Sequence, residues 1–143
     1  MHPTKNYLLV VECAIEYQGR FLLIERPQGG YAGGLLSFAG GKVDAQDEGQ
    51  PWDMLRAAVR REVREELGIE LHSPLTYVTS SYFVTDKGIP IVDTIFHCQL
   101  QDMPSVYPSP REVSSYDWLT AAEIHAAPNA PEWLKKYITL IAP

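Results

Sequence analysis

Arg61-Glu62-Val63-Arg64-Glu65-Glu66-Leu67-Gly68-Ile69 places three carboxylates within five residues. At about 100° per residue, Glu62, Glu65 and Glu66 share one side of a helix, because positions three and four apart are neighbours on its surface. Like charges that close repel one another, so the helix either displays them to water or holds a cation against them. Working outward, Trp52, Leu55, Val59, Val63 and Leu67 form an apolar stripe at helical spacing. The spacing predicts a helix that opens at Pro51-Trp52-Asp53 and ends at about Leu67, with Gly68 just past its end. Glu62 and Glu66 border the buried stripe, where a carboxylate is costly without a partner, while Arg60, Arg61 and Arg64 project from the far side.

Upstream, Tyr7–Ile15 reads as a strand covered on both faces, Gln18-Gly19 as a turn, and Phe21–Arg26 as a returning strand. Pro27–Gly34 reads as a mobile glycine-rich loop, of the kind that carries binding residues or else a plain connector, Leu35–Ala39 as a short strand, Gly40-Gly41 as its end, and Lys42–Gln50 as a polar loop. Downstream, the residues between Leu71 and Thr85 and between Ile89 and Cys98 form a second hairpin about Asp86-Lys87-Gly88. Tyr116–Leu119 is a short strand, and Thr120-Ala121-Ala122-Glu123 is a capping box. A last helix opens at Asn129-Ala130-Pro131, and its Trp133, Leu134, Tyr137, Ile138 and Ile141 are assigned to packing.

A length of 143 residues suits a single domain spanning 1–143. No charge-free apolar run is long enough to span a membrane, and Met1-His2-Pro3-Thr4-Lys5 lacks the features of a signal peptide, so a cytoplasmic location is expected. Cys13 and Cys98 read as two buried free thiols rather than a disulfide. The net charge of −6 argues against a protein that grips duplex nucleic acid by a basic face. It leaves room for a small phosphorylated ligand, because a bound cation inverts the sign of an acidic site.

Gly40-Gly41 followed by Arg61–Ile69 resembles the signature of the Nudix hydrolases, the MutT-like enzymes. That signature reads glycine, five residues, glutamate, seven residues, then Arg-Glu-hydrophobic-any-Glu-Glu-any-Gly-hydrophobic. The second half matches at every specified position. In the first half the signature glutamate falls at Asp47 counting forward from Gly41 and at Asp53 counting back from Arg61, because the connecting loop carries six additional residues. Ala39 also departs from the proline common before the glycine pair. The resemblance implies an α/β fold, an α/β/α sandwich around a mixed sheet, and hydrolysis of a nucleoside diphosphate linked to another group, with Mg2+ or alternatively Mn2+.

Cleaving a pyrophosphate requires neutralising charge on phosphoryl oxygens and placing a water in line with the leaving oxygen. Carboxylates on a rigid helix suit an oxygen-seeking divalent cation. Glu62 and Glu66 are the expected principal metal ligands, Glu65 a ligand or the base that orients water, and the Gly40 carbonyl a further oxygen. Arg61, four residues before Glu65, is placed to orient a carboxylate. Glu112, in the loop before the late strand, is a further candidate ligand or base. Tyr31, Phe38, Tyr82 and Phe83 are candidates for stacking a base, and His72, His97 and His125 receive no role. The expected partner is a small nucleotide-type molecule, and a homodimer is left open. The alternative is a nucleotide-sensing or protein-interaction module without hydrolysis, whose mark would be erosion of the glutamates; here all three persist.

Overall fold

A computed structural model describes residues 2–30 and 32–143. Its strands are β1 (Leu8–Tyr17), β2 (Arg20–Glu25), β3 (Leu36–Ser37), β4 (Ala39–Lys42), β5 (Thr76–Val84), β6 (Pro90–Gln99) and β7 (Ser115–Thr120), and its α-helices are α1 (Met54–Leu67), α2 (Ala121–Ala126) and α3 (Glu132–Ile141). All seven strands join one sheet, ordered β3-β2-β1-β6-β5, with β4 on β1 and β7 on β2. The sheet is mixed: β1 runs parallel to β6, and the other pairings are antiparallel.

Strand alternation builds two cores. Val11, Cys13, Ile15, Leu22 and Ile24 turn to one face and meet Val59, Val63 and Leu67 of α1. Ala14, Phe21, Leu23 and Ile95 turn to the other and meet Ile124 of α2 and Leu134 and Ile138 of α3. Full burial of each such aliphatic side chain is worth roughly 1.5–3 kcal/mol, so the two faces clamp α1 and α3 on opposite sides of the sheet. The result is the expected α/β/α sandwich. Cys13 and Cys98 are both buried and free. Among the described residues, no helix is long and apolar enough to cross a membrane.

Local signals behave as their chemistry requires at several ends. Gly68 takes the left-handed conformation at φ 66° and donates its N–H to Arg64 O, closing α1. Thr120 and Glu123 cap α2 reciprocally. Four expectations are corrected. Gly40 and Gly41 do not end a strand but lie inside β4, paired with Glu12 and Val11 of β1. The polar stretch after it contains a 3₁₀ helix, Ala45–Gly49, with Asp44 as its N-cap. Trp52 does not lead the apolar stripe: α1 begins two residues later and Trp52 is 98% exposed. Arg61 does not project to solvent but is buried.

Candidate functional site

Arg61 is the hub of the site. Its Nε and Nη2 grip the two oxygens of Asp47 at 2.9 Å each, Nη2 also donates to Lys42 O at 2.9 Å, and Nη1 donates to Glu62 Oε1 at 2.9 Å and Glu65 Oε2 at 3.1 Å. A guanidinium has five N–H donors in a planar fork, and here each has a partner. The arrangement ties α1 to β4 and to the 3₁₀ helix while fixing two of the three signature glutamates. The Arg61 bonds hold the Asp47 carboxyl below the usual aspartate range, and those of Asp47 first, then Glu62, hold the guanidinium charged. Of the two aspartates to which the signature count points, Asp47 is the one that Arg61 binds. Asp53 lies at the start of α1, exposed, and its carboxylate pairs with Arg56 at 3.2 Å.

Glu66, one turn beyond Glu62, is 1% exposed. Its Oε1 accepts the Gly40 N–H at 2.7 Å, and its Oε2 lies 3.8 Å from Arg26. Burial pushes its pKa up to about 7; Arg26 and the Gly40 N–H oppose that rise, and the charges of Glu112 and Glu62 add to it. Glu62 is also raised, mainly by desolvation and against the pull of Arg61. Both glycines are required by contact rather than by a turn. A Cβ on Gly41 would lie 2.6 Å from the Glu62 carboxylate, and a Cβ on Gly40 would lie 2.1 Å from Val11 O. Glu112 reaches the site because its loop is stitched to the end of α1, Tyr107 N–H donating to Leu67 O and Ser109 N–H to Glu66 O, both at 2.8 Å. Its exposed carboxylate is close enough to bias Glu62 and Glu66 electrostatically.

Beside these groups opens a cavity of about 830 Å³. Glu62, Glu65 and Glu66 do not line it, but Gly40, Gly41 and Glu112 do, together with the cationic Arg26, Lys42, Arg111 and Lys136. Of the four aromatic residues expected at a pocket, Tyr82 and Phe83 line the cavity. Tyr31 lies outside the described residues. Phe38 is fully buried and stacked on Tyr137 at 6.5 Å, so it packs the core and offers no face to a ligand. The assignment of α3 to packing holds for Leu134, Tyr137 and Ile138, although Tyr137 also lines the cavity, as does Trp133. Arg26, Lys42 and the acids Glu12 and Asp93 were also missed. For the two acids a signal existed, a carboxylate set among apolar neighbours in each of two strands. Burial and the adjoining Asp93 carboxyl push Glu12 well above the usual carboxylate range.

A family model described as NUDIX domain matches residues 9–141 of this chain. The chain belongs to the Nudix hydrolases. It is 34% identical over 124 residues to the CTP pyrophosphohydrolase of Escherichia coli (strain K12), across 85% of this chain and 82% of that protein. Its fold superposes on the MutT protein from Methanosarcina mazei Go1 with a TM-score of 0.78 at 23% identity, covering 96% of this chain and 94% of that one. The E. coli ORF135 protein gives 0.71 at 28% identity, covering 94% and 88%. This Nudix domain is thus an enzyme acting on phosphorus-containing acid anhydrides.

Nudix hydrolases generally use divalent metal ions, and the donor set of this one fits such an ion. Glu62 and Glu66 are both raised, by burial first and with the charge of Glu112 adding, so the positive charge nearby does not offset them, and hard carboxylate oxygens suit Mg2+ and its relatives. Among the described residues no three acidic, histidine or cysteine side chains already converge as a cage. The reason is visible: Arg61 holds Glu62 Oε1 and Glu65 Oε2, and the Gly40 N–H holds Glu66 Oε1.

Proposed function

We propose that this Nudix hydrolase is a Mg2+-dependent pyrophosphohydrolase of nucleoside triphosphates or other nucleoside diphosphate derivatives, releasing a nucleoside monophosphate and pyrophosphate or a phosphorylated remainder. The observation that carries the reading is the Arg61-ordered glutamate set beside a nucleotide-sized cavity whose rim bears Arg26, Lys42, Arg111 and Lys136. A cavity of that volume accommodates a mononucleotide, and four cations suit its phosphates. The 34% identical relative being a CTP pyrophosphohydrolase supports a triphosphate.

In this reading Glu62 and Glu66 hold the metal, with Glu65 and the Gly40 carbonyl as further oxygens, and Mn2+ substitutes for Mg2+. When bound, the cation neutralises charge on the phosphoryl oxygens and orients the attacking water. Arg61 is a positioning residue that fixes the rotamers of Glu62 and Glu65 through Asp47 and Lys42 O. Glu65 or Glu112 takes the proton as a water oxygen bonds to phosphorus and the anhydride P–O bond breaks, its electron pair leaving on the departing phosphate. No observation favours a non-hydrolytic module, because Glu62, Glu65 and Glu66 are all present and hydrogen-bonded.

The test is turnover with Mg2+ across nucleoside triphosphates, ADP-ribose, nucleotide sugars and dinucleoside polyphosphates. Expected is release of a nucleoside monophosphate, reduced by about 100-fold or more in Glu66→Gln, a loss in the range of removing one electrostatic stabiliser. No turnover by the parent, with Glu66→Gln indistinguishable from it, removes the catalytic reading.

A further inference from the structure

Of the four cations that line the cavity, Lys42, Arg111 and Lys136 are exposed and Arg26 is half-buried. Arg26 follows β2, and its backbone is fixed: its N–H donates to Leu35 O at 3.2 Å and its carbonyl accepts the Gly34 N–H at 2.9 Å. Its side chain is not held in the same way. Among the described residues the guanidinium makes no hydrogen bond, and its ion-pair partner is Glu66, whose Oε2 lies 3.8 Å from Nη1. In Arg61, by contrast, every donor has a partner. A half-buried guanidinium with its N–H groups unpaired is ready for an acceptor, and carboxylates and phosphates both fit its fork. Glu66 does not line the cavity whereas Arg26 does, so this one guanidinium touches the buried glutamate and the ligand's space at once. Burial pushes the carboxyls of Glu66, Glu12 and Asp93 up, and the charge of Arg26 opposes that rise at all three. Arg26 thus serves as counterion to buried acids, held by charge rather than by hydrogen bonds.

We infer that Arg26 is an exchangeable counterion, which neutralises Glu66 in the metal-free protein and is released to the ligand's phosphate once Glu66 carries a divalent cation. The inference rests on the pyrophosphohydrolase reading for the cation at Glu66 and the phosphate in the cavity. A guanidinium and a dication beside one carboxylate repel each other, so Arg26 opposes cation binding until a phosphate draws it away. Phosphate and cation then favour each other's binding, by the same factor in both directions. A cavity cation that only binds phosphate lacks the first effect, which makes the two roles separable.

The experiment is calorimetric titration with Mg2+, without nucleotide and with saturating CMP, in the parent, Arg26→Gln and Lys136→Gln. It is run at about pH 9, where Glu66 is ionised. Without CMP, Arg26→Gln is expected to bind Mg2+ about 10-fold more tightly than the parent, the low end of what one neighbouring charge does to another at such a distance. It binds CMP about 10-fold more weakly, as loss of a hydrogen bond between charged groups requires, and CMP tightens its Mg2+ binding less than in the parent. Lys136→Gln, whose cation lines the cavity but is no partner of Glu66, weakens CMP alone. The inference is overturned if Arg26→Gln binds Mg2+ no more tightly than the parent or CMP equally well, if Lys136→Gln gains Mg2+ affinity to the same extent, or if the parent binds no Mg2+. Should Arg26→Gln not fold, metal-free Glu66→Gln decides: it frees Arg26 and is expected to bind CMP more tightly than the parent, and no gain overturns the inference. If no nucleotide is hydrolysed, the pyrophosphohydrolase reading fails, while the Mg2+ titration, which needs no turnover, still decides the role of Arg26.

Discussion

Replacing Asp47 by alanine removes two of the five hydrogen bonds of a buried guanidinium while leaving its charge in place. Breaking a buried pair from one side costs about 3–5 kcal/mol. Arg61 keeps Glu62, Glu65 and Lys42 O, so we expect the lower end, roughly 3 kcal/mol at pH 7. Asp53→Ala is the internal control. Its partner Arg56 is half-buried but keeps its bond to Leu75 O, and loss of a pair whose aspartate is exposed costs about 0.5 kcal/mol or less. Urea unfolding of the parent and both variants measures the difference, with kcat/KM recorded in parallel. Activity falls with Asp47→Ala alone, because Arg61 then no longer fixes the carboxylates of Glu62 and Glu65. The pH sign follows from the depressed Asp47 carboxyl. Its contribution is complete above the unfolded aspartate pKa of about 3.9 and is lost as pH falls through the lower folded value, so the cost of the substitution shrinks below about pH 4. Equal stabilities for Asp47→Ala and Asp53→Ala, or a cost for Asp47→Ala below about 0.5 kcal/mol, would refute the placement of Asp47 as the anchor of Arg61.

The two glycines of β4 separate stability from activity. Gly40→Ala drives a methyl into backbone, Val11 O at 2.1 Å, and is expected to destabilise by more than about 2 kcal/mol in urea unfolding. Gly41→Ala meets the side-chain end of Glu62 at 2.6 Å rather than backbone, so it is expected to cost the fold less than Gly40→Ala does, while kcat falls as the carboxylate is pushed from its bond to Arg61. Glu66 supplies the opposite pH sign from Asp47. Its folded pKa, about 7, lies above the unfolded value, so metal-free stability is greatest below the unfolded carboxylate pKa and declines as pH rises toward 7, by on the order of 3 kcal/mol at most. Glu66→Gln should flatten that decline between pH 5 and 8, and an unchanged slope would contradict the burial argument.

What was legible in the chain was local. Helical spacing located α1 and its three glutamates, Gly68 closed it, and Thr120 with Glu123 opened α2, because each signal acts within one or two turns. What was not legible depends on partners distant in sequence. Helical geometry puts Arg61 off the apolar stripe, yet its long side chain turns back to Lys42 and Asp47, which only the β1–β4 pairing brings within reach. The glycine pair announced that no side chain fits but not why, and a close approach of Val11 and Glu62 leaves the same mark as a turn. Helical spacing in α3 could not separate Leu134 and Ile138, which fill the core, from Trp133 at the cavity and Tyr137, which belongs to both.

The additional six residues illustrate the same division. Arg61 binds both Lys42 O and Asp47, which sets the length of chain between Gly41 and Asp47, and the reciprocal capping of Asp44 and Asp47 pins that segment from within. Between Gly49 and Met54 the chain makes no bond to the glutamates, and Trp52 is almost wholly exposed there. Lengthening an unattached loop adds only about 0.6 kcal/mol of closure entropy per doubling. The extra residues can therefore lie after Asp47 without disturbing the site, whereas one residue more between Gly41 and Asp47 would break the grip on Arg61 and release Glu62 and Glu65 together.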